Sequence, residues 1–299
     1  MKIESNNSAK IAIVKSTPPP PESVSAQAAK TKTESKVTRK SSQQRISKWF
    51  SQAGVRVNSS QHQTLSLAER SALKESILAQ RKLRNLEKIL GRALDFCLDE
   101  GKEEDIDADW FFSFVNMAEQ IYSPAMQELW GKIFAVETAR PGSFSLKTLG
   151  LLKQLTQKDA QIFRNAVNLT SRHKGESTPK LLLGYYQKPN VWSFFSSHKE
   201  HQLNLAEFAL GYPDILSLMD LGLIHHSEIE SGELPVDKTY EWRCAGHAIE
   251  LSAKRPGTTL VYYKFTTTGA ELCKLVTRQK QDVYVKSLKN ILGRAFKLR

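Results

Sequence analysis

The run MQELWGKIFAVETARPGSFSLKTLGLLKQL, Met126 to Leu155, is the stretch that most limits how this chain can fold. Met126, Leu129, Trp130, Ile133 and Phe134 recur at the spacing of one apolar helix face. Ser123-Pro124 suits the start of that helix, since proline at the first helical position gives up an N–H that would have no intrahelical partner. Pro141-Gly142 ends it, and Ser143 or Ser145 caps a second helix over residues 146–155. Two helices must therefore turn back on each other within a few residues, and Trp130 requires a core to cover it.

Glu137 falls in the last turn of the first helix, where the aligned peptide dipoles disfavour an anion. It therefore calls for a partner. Arg140 is near in sequence, and the free N–H groups at the start of the second helix, residues 143–146, are the other source. We expect Glu137 to tie the PGSFS turn to the preceding helix. The functional alternative makes Glu137 and Arg140 a ligand-binding or catalytic pair. Capping and ion-pair networks are commoner than active sites, which favours the structural reading. The candidate cluster is Trp130, Glu137, Arg140, Ser143 and Ser145.

Helical patterns flank this run. Leu83, Leu86, Ile89, Leu90, Ala93, Leu94 and Cys97 predict a long helix between residues 65 and 99, broken once near Ser76 and stopped by Gly101. Asp107 caps a helix whose apolar face holds Trp110, Phe111, Phe114, Val115, Ala118 and Ile121. Thr156-Gln157-Lys158-Asp159 resembles a capping box ahead of Ala160, Phe163, Ala166, Val167 and Leu169.

The texture changes after residue 172. HKGESTPK reads as a linker, and LLLGYYQKPNVWSFF mixes aromatics with turn residues and predicts no definite element. A helix ending on Leu221-Gly222 precedes two strand-like runs, His247–Ala253 and Thr259–Thr268, joined by Lys254-Arg255-Pro256-Gly257. FTTTGAEL then opens a helix, an order that looks like the back half of a winged helix. Residues 276–299 read as one basic amphipathic helix. The expected fold class is mainly α. A basic disordered tail (1–62) leads a helical core domain (63–172), and a winged-helix-like α+β domain (173–275) precedes the C-terminal helix (276–299).

Ile89-Leu90-Gly91-Arg92-Ala93 recurs as Ile291-Leu292-Gly293-Arg294-Ala295. Glycine inside a helix costs about 1 kcal/mol relative to alanine, and close backbone approach would offset that. The two helices are expected to pack together, within one chain or between two copies.

The net charge of +12 is concentrated at the ends. Residues 1–48 hold ten Lys/Arg against three Glu, and residues 274–299 hold eight against Asp282 alone, giving +7 at each end and about −2 between them. A nucleic-acid reading wants a basic face on the folded body, so charge alone supports only contacts made by basic arms, with phosphate or an anionic membrane. Within the N-terminal arm, Ile46, Trp49, Phe50 and Ala53 lie on one side of a short helical pattern, with Arg45 and Lys48 alongside. That patch reads as a surface anchor or as a segment folded back on the body.

Three widely spaced cysteines, Cys97, Cys244 and Cys273, form no CxxC pair and fit a reducing cytoplasm; Cys97 and Cys273 read as core thiols. No apolar run has the length of a secretion signal or a membrane span. There is no Walker-type loop, GxGxxG, GxSxG or HExxH, and no cofactor or metal is called for. The histidines and Cys244-x-x-His247 make only a weak metal pattern.

The pattern Met-Gln-x-Leu-Trp-x-x-Ile-x-Ala-x-Glu, then Pro-Gly-Ser-Phe-Ser and x-x-Thr-Leu, resembles the core of a bacterial family of unknown function. It is carried here by Met126, Gln127, Leu129, Trp130, Ile133, Ala135, Glu137, Pro141 to Ser145, Thr148 and Leu149. Val136 stands where that family commonly has glycine. The leucine-tryptophan core is also similar, more weakly, to abortive-infection proteins of the alpha type. Neither resemblance brings an activity. The favoured function is a non-enzymatic interaction or scaffold protein with a protein partner, capable of self-association. The alternatives are a winged-helix nucleic-acid regulator and a phage-defence effector acting through Glu137 and Arg140.

Overall fold

The structure is a computed structural model that describes residues 41–55, 65–97, 105–188 and 201–299. The chain forms two compact units, Met1–Gln80 and Arg81–Arg299. In the first, residues 41–52 of the expected tail form helix α1, while 1–40 and 56–62 lie outside the described residues. Helix α2 spans Leu67–Asp95, with residues 81–95 belonging to the second unit, and is unbroken at Ser76. Ser66 and Glu69 cap its start reciprocally: Ser66 N donates to Glu69 Oε2 at 2.7 Å, and Glu69 N donates to Ser66 Oγ at 3.3 Å. Gly101 lies outside the described residues, and the helix has already ended at Asp95.

In the second unit four helices follow, α3 (Ala108–Ala118), α4 (Pro124–Ala139), α5 (Leu146–Gln154) and α6 (Gln157–Asn168). Their starts are chemically marked. Asp107 accepts from Trp110 N, Ser145 from Thr148 N, and Thr156 forms a complete capping box with Asp159. An aromatic group joins α3 to α4, with Phe114 centred 5.2 Å from Trp110, Trp130 and Phe134.

The remainder corrects the expected fold class. Strands β1 (Ser171–His173), β2 (Lys180–Gln187), β3 (His201–Gln202), β4 (Ile229–Glu230), β5 (Tyr240–Cys244), β6 (His247–Ala253), β7 (Thr258–Lys264) and β8 (Phe296–Leu298) form an eight-stranded antiparallel sheet. The fold is mixed α/β, not mainly α with a small winged-helix-like domain. HKGESTPK, read as a linker, is the turn joining β1 to β2, which pair at Ser171 and Lys180. The two runs read as a wing hairpin are both strands, but they are not neighbours: β6 lies between β5 and β8, and β7 lies between β2 and β4. Residues 276–299 are not one helix. After α9 (Asp282–Ala295) the chain turns into β8 and adds to the sheet against β6.

The four-residue link from β6 to β7 shows how this sheet is shaped. The path order is β4-β7-β2-β1-β5-β6-β8. Four strand spacings in a flat sheet are about 19 Å, whereas the step from Ala253 to Thr258 reaches at most about 17 Å. The sheet must therefore coil. Helix α9 lies against β2 and β8. Its Tyr284 is fully buried and donates its hydroxyl to Leu182 O at 2.8 Å. That carbonyl sits where the β2–β7 register slips between Leu182 and Gly184. Gly184 is needed on the other edge: a Cβ there would stand 1.8 Å from His201 O of β3. Helices α3, α5 and α6, together with α7 (Tyr212–Asp220), α8 (Thr267–Leu272) and the sheet, contribute to one continuous apolar core.

The repeated ILGRA segments do not pack together as expected within the chain. A Cβ on Gly91 would meet nothing within 4 Å, and one on Gly293 would meet only Leu298 Cδ1 at 3.8 Å. Close approach occurs at Gly131 of α4 instead, where a Cβ would sit 2.6 Å from Arg92 Cβ and 2.9 Å from Ala93 N. The glycine that lets a helix settle on the first ILGRA segment is on the partner helix.

Candidate functional site

The α4–α5 corner holds Glu137, Arg140, Ser143 and Ser145 of the candidate cluster, with Trp130 earlier on the same helix α4. Helix α4 ends at Ala139, and Arg140 is its C-cap, out of helical conformation. Gly142 then takes a φ of +78°, a conformation that glycine adopts without penalty. Reversal at this point aims the turn's N–H groups back at α4. Gly142 N donates to Glu137 Oε1 at 2.6 Å and Phe144 N donates to Glu137 Oε2 at 2.9 Å. Ser143 Oγ donates to Arg140 O at 2.7 Å, and Ser145 forms the N-cap of α5.

Three residues outside the candidate cluster, Trp110, Glu271 and Lys274, hold the same turn. Trp110 Nε1 donates to Phe144 O at 2.7 Å. Lys274 Nζ donates to Ser143 O at 2.8 Å and lies 5.4 Å from the centre of the Phe144 ring. Glu271 Oε2 accepts from Ser145 N at 2.8 Å, Ser145 Oγ at 3.1 Å and Thr148 Oγ1 at 2.5 Å. Glu271 and Lys274 are more than a hundred residues from the turn. The only local signal of their role is a pair of opposite charges three residues apart, Glu271 in α8 (Thr267–Leu272) and Lys274 just past its end.

Glu137 is buried, and desolvation raises its carboxyl above the ordinary carboxylate range. The N–H groups of Gly142, Phe144 and Ser143 and the charge of Lys274 pull the other way without cancelling it. Arg140 is exposed, and among the described residues no ion pair joins it to Glu137. Trp130 is fully buried on the aromatic group, and its indole N–H has no partner among the described residues. Both Glu137 oxygens are occupied by turn N–H groups, and the Lys274 ammonium is held on a carbonyl. These hydrogen bonds close the corner and fix its turn.

Other reactive groups are also withdrawn. Burial raises the Cys244 thiol to about 11 and the Cys273 thiol to about 12, so neither is a thiolate at neutral pH. Cys97, expected in the core, is exposed, because α2 stops two residues before it. Among the described residues no three His, Cys, Asp or Glu side chains gather as a metal site, and His198 lies outside them. No described helix is long and apolar enough to cross a membrane.

Comparison with known proteins gives one match. A family model described as protein of unknown function (DUF2806) matches residues 69–289, from the first turn of α2 to within α9. No curated protein and no solved structure matches the chain. The matched region contains the closed corner and all but the last strand of the sheet, and this protein belongs to the DUF2806 family of proteins of unknown function.

Proposed function

We propose that this protein is a non-enzymatic interaction protein, a scaffold that attaches to an anionic membrane surface through helix α1. The observation that carries the reading is the face of that helix. Ile46, Trp49 and Phe50 are 58%, 70% and 58% exposed. At a helical period of 100° per residue all three fall within one arc about 100° wide. Arg45 borders that arc and Lys48 lies across from it. Large exposed apolar side chains with cations beside them are the composition of helices that lie in a lipid interface. The first 48 residues carry +7, so the charge around the patch suits an anionic surface rather than an acidic groove of one size. The closed α4–α5 corner and the withdrawn thiols support a structural rather than a catalytic role for the body.

The test is co-sedimentation of the full chain with phosphatidylcholine vesicles, with and without phosphatidylserine. Binding to the anionic vesicles only, weakened by salt and lost in Trp49→Ala/Phe50→Ala, is the expected result. Absence of binding at low salt, or equal binding by the double variant, overturns the proposal.

A further inference from the structure

A second group of charges, away from α1, is left without counter-charge. In the pairing of β1 with β5, Arg172 lies directly opposite Arg243. Opposite residues in an antiparallel pair share a face, with Cβ atoms about 5 Å apart, and like charges there repel. The neighbouring pair, Ser171 and Cys244, is buried in the core, so the arginines occupy the outer face. Arg243 is exposed. Arg172 is half-buried, and its Nε is shut away from solvent with no hydrogen-bond partner.

A third cation comes from the segment between α8 and α9. That segment is held in place by Gln279 N, which donates to Asn168 Oδ1 at 2.9 Å. It brings Arg278 near enough for its charge, after the larger effect of burial, to depress the Arg172 guanidinium. Lys280 follows and lies over the β5–β6 turn, where a Cβ on Gly246 would stand 3.1 Å from Lys280 Cγ.

Two carboxylates, Glu241 and Glu250, share this outer face, Glu250 diagonal to Arg243, but neither is paired to an arginine. Glu241 is paired to Lys174 at 2.8 Å, and Glu250 stands opposite Glu241 rather than opposite an arginine. Among the described residues neither an ion pair nor a side-chain hydrogen bond reaches Arg172, Arg243 or Arg278. Holding a guanidinium half-buried without a partner costs stability, and the cost disappears when an anion occupies the fork.

We propose that Arg172, Arg243 and Arg278 form a binding site for a phosphate-type oxyanion on the outer face of the sheet. The guanidinium fork matches the edge of a phosphate and grips it through two parallel hydrogen bonds. Three cations, none of them paired to a carboxylate, suit a multiply charged phosphate, either free or as a terminal phosphoryl group, better than the single charge of a backbone diester. This site stands independently of α1.

Thermal unfolding of the full chain in inorganic phosphate, against chloride of equal ionic strength, tests the proposal. A second arm uses a single-stranded oligonucleotide without a terminal phosphate. The expected result is a melting temperature that rises saturably with phosphate. In Arg172→Gln and Arg278→Gln the apparent Kd should rise at least tenfold, with each variant's melt in chloride showing that it folds. Three results would overturn the site: no stabilisation beyond chloride, equal stabilisation of wild type and both variants, or binding of the oligonucleotide with phosphate inert.

Discussion

Glu137 and Arg172 are both charged side chains drawn into the second unit, and the fold treats them in opposite ways. Around Glu137 the turn completes its contacts: Gly142 and Phe144 donate to it, and Lys274, Glu271 and Trp110 secure the rest of the turn. Around Arg172 the neighbours are cations, Arg243 across the strand pair and Arg278 from the following segment, and its Nε has no partner. A charge that a fold needs for itself comes with its partners supplied by the chain. A charge whose partners are missing is either a burden on the fold or a site for something brought from outside. The closed corner accordingly explains architecture, and the open cluster is where binding is proposed.

The largest expected effect comes from opening the closed region. Glu137→Ala orphans the N–H groups of Gly142 and Phe144 in a buried turn and should cost about 4 kcal/mol, at about 2 kcal/mol for each unsatisfied donor. Urea denaturation reads this directly. Gly131→Leu attacks the same half of the molecule through packing. Its side chain would collide with the backbone of α2 at Arg92 and Ala93, for about 3 kcal/mol of overpacking. Glu271→Ala removes a partly exposed acceptor shared by Ser145 and Thr148, and about 1.5 kcal/mol is expected.

The two glycines repeat the comparison on apolar ground. Gly131 is closed in and Gly91 is open, so Gly91→Ala should stabilise by up to about 1 kcal/mol through helix propensity alone. A destabilised Gly91→Ala would show that something covers that face of α2.

The smallest expected effect is on pH dependence. Because the Glu137 carboxyl is raised in the fold, its contribution to stability is fully present below its ordinary value of 4.5 and is lost as pH rises through the folded value. Gln at this position does not titrate. The stability of wild type relative to Glu137→Gln should therefore decline as pH rises from about 4.5, measured by urea melts at a series of pH values.

What could be read from the residues divides along the same line as the fold. Helices α3 to α6 announce themselves because their apolar stripes, their caps at Asp107, Ser145 and Thr156, and Pro124 all act within a few residues. The sheet does not. Strand β2 is buried along most of its length and interrupted by Gly184, so it lacks the alternation that marks a half-exposed strand. Strands β1, β3, β4 and β8 are two or three residues long, too short for any period. Pairing across the sheet depends on contacts such as Arg172 with Arg243, some seventy residues apart, and Glu271 with Ser145 is farther still. Of the two partners that proximity in sequence offered Glu137, Arg140 and the N–H groups ahead of the next helix, the fold uses the N–H groups of Gly142 and Phe144, and Lys274 adds only its charge from a distant segment.

One pair of urea melts, in phosphate-free buffer at neutral pH, tests the contrast most directly: Glu137→Ala against Arg172→Met. Methionine keeps the apolar stem of arginine and removes the charge. A marked fall in the denaturation midpoint is expected for Glu137→Ala and an unchanged or higher midpoint for Arg172→Met. A fall of similar size in both would contradict this, because Arg172 would then have a partner within the fold and the arginine cluster would be as closed as the turn.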